Sequence, residues 1–122
     1  MLNSHKDLIV WQKSIDLIVL IYELTEKFPR EELYGLIAQM RRSSVSIASN
    51  IAEGRSRGTR KDFQQFLRIA YGSAAELETQ IIIAQKLKKT RDLDYSMIVG
   101  LLTEVMKMLN VMISKFNPKA NS

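Results

Sequence analysis

Leu33-Tyr34-Gly35-Leu36-Ile37-Ala38-Gln39-Met40-Arg41-Arg42-Ser43-Ser44-Val45-Ser46-Ile47-Ala48-Ser49-Asn50-Ile51-Ala52-Glu53-Gly54 is the stretch that decides the fold. Leu33, Leu36, Ile37, Met40, Ser44, Ile47, Ala48 and Ile51 recur every three or four residues and so share one face of a helix over 33–54. The remaining faces carry Ala38, Ser43, Ser46, Ser49 and Ala52, small side chains that let a neighbouring helix come close. Such a helix needs partner helices to cover its apolar row. Gly54-Arg55-Ser56-Arg57-Gly58 follows as a turn, with glycine available for the helix C-terminus.

Working outward, three further helices appear. Upstream, a helix is expected over 7–28 and is stopped by Phe28-Pro29, because a residue before proline is pushed out of the helical region. It carries two apolar rows: Leu8, Trp11, Ile15, Ile18 and Tyr22, and separately Val10, Leu17, Ile21, Leu24 and Phe28. Downstream, Thr59-x-x-Asp62 has the form of a capping box and opens a helix over 59–89. Its core row is Phe63, Phe66, Ala70, Ala74, Leu77, Ile81 and Ala84. The fourth helix spans 93–116, with a seam of Ile98, Leu102, Val105, Leu109, Met112 and Phe116, before a frayed tail over 117–122. Four helices joined by short turns specify an all-α, antiparallel up-down-up-down four-helix bundle in a single domain.

The first helix has more apolar circumference than a bundle needs, since a core-facing stripe only a little wider than about 100° suffices. The fourth is nearly as broad, with Val99, Met106, Met108 and Val111 beside its seam. Copies of the chain are therefore expected to meet through this surplus surface.

Composition narrows the function. With 122 residues and no cysteine, thiol chemistry, disulfide scaffolds and zinc ribbons are excluded. The one histidine, His5, lies near the N-terminus, so a carboxylate–histidine metal site or a histidine-based triad lacks its parts. No cofactor and no enzymatic activity are expected. No signal peptide is legible and the longest aliphatic and aromatic run, Leu17 to Tyr22, is far short of a membrane span, so the expected location is cytoplasmic.

The net charge of +5 is concentrated. Between residues 41 and 68, Arg41, Arg42, Arg55, Arg57, Arg60, Lys61 and Arg68 face only Glu53 and Asp62, while the rest of the chain balances at eleven of each sign. Such a concentration points to an anionic partner, RNA or DNA backbone foremost. Arg60 and Lys61 even occupy the first turn of a helix, where positive charge opposes the dipole. The alternative is a scaffold whose partner is a protein. Asn50, Glu53 and Glu76 are candidates for a structural polar network that fixes helix register.

Several runs carry a family likeness: Phe28-Pro29, Glu32 to Leu36, Gln39 to Ile47, Asn50-Ile51-Ala52-Glu53-Gly54, Phe66 to Ala70 and Gly72 to Gln80. Together they resemble the 23S rRNA-intervening sequence protein family, also called four helix bundle proteins, over about residues 8–116. The resemblance implies a bundle assembled as a ring, a homopentamer. That is similar to the accessory protein of diversity-generating retroelements, a basic pentameric barrel that binds nucleic acid and a reverse transcriptase. The resemblance implies no enzymatic activity.

Overall fold

A computed structural model describes residues 4–115. Four helices dominate it: α1 (Ile9–Thr25), α2 (Ala38–Ser56), α3 (Arg60–Lys86) and α4 (Ser96–Lys115). Each packs on its neighbours in the order α1–α2–α3–α4–α1, with α2 and α3 the most intimate pair. No strand occurs among the described residues.

The helix ends differ from the expected ones for local reasons. A short 3-10 turn, His5–Asp7, precedes α1 and is capped by the Ser4 hydroxyl; Leu8 is then extended before α1 starts. At the other end the chain tightens: the Lys27 N–H donates to the Leu24 carbonyl and the Phe28 N–H to that of Thr25. The segment Leu33–Ile37, expected as α-helix, is wound as a wider π-turn that breaks at Gly35, and regular α2 begins only at Ala38. At its far end α2 runs on through Gly54 to Ser56, and the reversal falls on Gly58, whose φ of 84° suits glycine alone. Gly54 is thus a buried position inside the helix rather than part of the turn.

Thr59 caps α3 as expected, its hydroxyl accepting from the Asp62 N–H at 3.1 Å. The last turn of α3 is shorter than expected and ends at Lys86. The connection to α4 is tied down by Thr90, whose hydroxyl donates to the Ala84 carbonyl (2.6 Å), and by Tyr95, which donates to the Thr90 carbonyl (2.8 Å). Burial raises the Tyr95 hydroxyl above its ordinary pKa. Asp94 opens α4 by accepting from the Ser96 N–H and hydroxyl, which holds its carboxyl below the usual value. The seam residue Phe116 and the tail lie outside the described residues.

The core joins Leu17 and Ile21 of α1, Met40, Ile47 and Ile51 of α2, Leu67, Leu77 and Ile81 of α3, and Val105 and Leu109 of α4. Of the two rows on α1, the one holding Val10, Leu17, Ile21, Leu24 and Phe28 is the buried one. In the other, Trp11, Ile15 and Ile18 are half-buried, Tyr22 is exposed and the adjoining Val19 is 52% exposed. By length and composition α4 is apolar enough to cross a membrane; here Ile98, Leu102, Val105 and Leu109 are buried in the bundle, while Met97 and Val111 stand 72% and 66% exposed.

Candidate nucleic-acid interface

The up-down order places the start of α1, the end of α2, the start of α3 and the end of α4 at one end of the bundle. That end collects Arg55, Arg57, Arg60 and Lys61 around a single tight turn. Arg68 lies on α3 seven residues beyond Lys61, on the same side and about 10.5 Å along the axis. Lys61, Arg68 and Lys86 are all exposed on this outer face of α3.

Arg57 is held in two ways. Its guanidinium pairs with Glu53 at 3.1 Å, one turn earlier on α2, and lies over the Phe66 ring at 5.2 Å. Both partners of the ion pair are about half exposed, and such a pair contributes only ~0–1 kcal/mol. A phosphate can therefore take Arg57 from Glu53 at little cost.

Arg41 and Arg42 do not join this end. Sixteen residues separate Arg41 from Arg57, about 24 Å along α2. Arg41 turns to α1: its Nε donates to Thr25 Oγ1 (2.9 Å), its Nη2 reaches the Tyr22 carbonyl (3.4 Å), and its guanidinium stacks on the Tyr22 ring at 4.4 Å. It is a clamp between α1 and α2. Arg41→Gln is expected to cost about 1–2 kcal/mol in denaturant unfolding while leaving the salt dependence of nucleic-acid binding unchanged. Arg42 is exposed and lines a groove of about 460 Å³ between α2 and α3 with Gln39, Glu76, Thr79, Gln80 and Ile83.

Asn50, Glu53 and Glu76 are not linked into one network among the described residues. Asn50 donates to the Ser46 carbonyl (2.8 Å) and hydroxyl (3.0 Å), and Ser46 meets Ser73 of α3 at 2.9 Å. One helical turn or two further on, Ser43 donates to Gln80 Oε1 at 2.6 Å. These contacts form a polar ladder along the α2–α3 seam. Glu53 serves Arg57 instead, and Glu76 is exposed in the Arg42 groove.

The structure adds a member that the sequence reading did not include. Lys115, at the end of α4, lines a cleft of about 380 Å³ together with Leu8, Gly54, Arg55, Gly58, Thr59, Arg60, Phe63 and Met112. The up-down topology already implied that the last turn of α4 returns to the α2–α3 turn, and that was the available signal.

A family model described as 23S rRNA-intervening sequence protein matches residues 6–111. The chain belongs to this family. The match takes in α1, α2, α3 and most of α4, so it covers the whole bundle and not one motif. Within the Asn50–Gly54 run, Asn50 bonds back to Ser46, Glu53 pairs with Arg57, and Gly54 packs against Phe63 and Phe66 of α3. No curated protein matches the chain as a relative.

Proposed function

We propose that this family member is a non-enzymatic, self-assembling protein of the cytoplasm that binds the phosphate backbone of RNA or DNA through the cationic end of its bundle. The observation that carries this reading is the convergence of Arg55, Arg57, Arg60, Lys61 and Lys115, from three helices, on one end. Phosphate contacts of this kind are independent of sequence and strongly salt-dependent. At low salt the protein is expected to retain duplex or single-stranded nucleic acid; no retention of either contradicts the reading.

The assembly rests on the outer row of α1, where Trp11, Ile15, Ile18, Val19 and Tyr22 remain partly or fully exposed, and on Met97 and Val111 of α4. A ring of five copies, as the family likeness implies, would cover this surface and gather the cationic ends. Multi-angle light scattering should give a particle several times the 14.0 kDa chain mass. Replacing Ile18 and Val19 by Glu should shift it toward the monomer, because a charge would be buried at the contact. A 14.0 kDa wild-type particle in dilute solution contradicts the assembly.

A second reading, a scaffold for a protein partner, is favoured by the α2–α3 groove, which offers Arg42, Glu76, Gln39 and Gln80 side by side. A partner captured on this chain that survives nuclease treatment supports the scaffold; one released by nuclease supports nucleic-acid binding.

A further inference from the structure

The cleft at the α2–α3 turn has walls of two kinds. Leu8, Phe63 and Met112 make an apolar floor, with Gly54 lining it through its backbone. Arg55 from α2, Arg60 from α3 and Lys115 from α4 make a cationic rim on the same opening. We infer that this cleft seats one nucleoside phosphate, with the base on the Leu8–Phe63–Met112 floor and the phosphate on Arg55, Arg60 and Lys115. The inference rests on the nucleic-acid reading above and adds a seat for a single base, which backbone binding alone does not require.

The volume of about 380 Å³ falls in the range of ~300–1,000 Å³ typical of small-ligand sites. The pairing of walls selects the ligand class. An inorganic anion gains nothing from the floor, and an alkyl chain gains nothing from cations converging from three helices. A flat heterocycle carrying a phosphate uses both. Arginine in particular offers a planar fork that matches phosphate oxygens two at a time. Arg57 and Lys61, exposed at the same end, stand where the next phosphates of a strand would pass.

The same chemistry has two sources, the end of a strand or a free mononucleotide, and the test separates them. A short blunt duplex is compared with the same duplex bearing a 5′-phosphorylated single-stranded overhang, both titrated into the full chain. Separately, AMP and inorganic phosphate are titrated into ¹⁵N-labelled protein, with the Gly54 and Gly58 amides as reporters. If a strand end is the ligand, the overhang should tighten binding by about tenfold, within the range for seating one base. Met112→Gln, polar but uncharged, should abolish that advantage and leave blunt-duplex binding unchanged; Met112→Ala serves if circular dichroism shows the first variant unfolded. If a free nucleotide is the ligand, AMP should shift both glycine amides saturably, inorganic phosphate should not, and the overhang should bring no advantage. Duplex binding with neither an overhang advantage nor an AMP-specific shift overturns the seat and leaves the backbone reading standing. An AMP-specific shift without any duplex binding overturns the backbone reading and keeps the seat.

Discussion

Gly54→Ala is expected to lower the melting temperature by roughly 4–8 °C, about 1–2 kcal/mol for a domain of this size. A methyl group at Gly54 would sit 2.6 Å from the Cβ of Phe66 and 3.3 Å from Cδ1 of Phe63. The Phe66 Cβ is fixed to the backbone and cannot swing aside, so α2 and α3 must separate. Overpacking of this kind costs about 1–3 kcal/mol. The gain in helix propensity offsets up to about 1 kcal/mol of it. Gly72 of α3 and Gly100 of α4 provide the contrast, because nothing lies within 4 Å of an added Cβ at either. Gly72→Ala and Gly100→Ala should therefore each stabilise the protein by about 0.5–1 kcal/mol. The same substitution thus carries opposite signs at different sites. A Gly54→Ala protein that melts at or above the wild-type temperature contradicts the close approach of α2 and α3.

Most of the fold was legible because it depends on periodicity. The rows Met40–Ile47–Ile51 and Ala70–Leu77–Ile81 name their buried faces directly, and the Thr59–Asp62 cap marks the start of α3. Periodicity cannot say how two rows on one helix divide their roles. On α1 the row through Leu17 and Ile21 is inside, and the row through Trp11 and Tyr22 is left partly outside. Nor does it distinguish Gly54 from Gly58: both sit in the same short run, yet one is required for packing and the other for a left-handed backbone. The Leu33–Ile37 segment reads as helix by spacing, but the break at Gly35 interrupts it.

The candidate interface was legible as a charge concentration and not as a surface. Adjacent residues on a helix point about 100° apart. Arg41 and Arg42 therefore diverge, one clamped onto Tyr22 and Thr25 and the other facing the α2–α3 groove. Lys115 is distant in sequence from the basic run and joins it only through the topology.

The second large effect is expected when Arg55, Arg57, Arg60 and Lys61 are all replaced by Gln. The four side chains lie on the surface or at the cleft rim, and the Arg57–Glu53 ion pair lost is an exposed one. Folding should survive, with a melting temperature within a few degrees of wild type. Binding should not. Each phosphate contact removed lowers the magnitude of the log–log salt slope by ~0.9 on duplex DNA, so four contacts lower it by about 3.6. Affinity at low salt should drop by two orders of magnitude or more, since loss of these four contacts removes most of the counterion release that drives binding. Arg41→Gln provides the internal contrast: less stable, with the same slope. A quadruple variant that binds as tightly as wild type, with the same slope, places the interface elsewhere on the molecule.

The most direct test is the wild-type affinity for a short duplex measured across a series of salt concentrations. With Arg55, Arg57, Arg60, Lys61 and Lys115 each neutralising one phosphate, the log of the binding constant should fall linearly with the log of salt at a slope near −4.5. Binding that is absent at the lowest salt, or that persists with a slope near zero, contradicts a phosphate-binding role for the cationic end of this bundle.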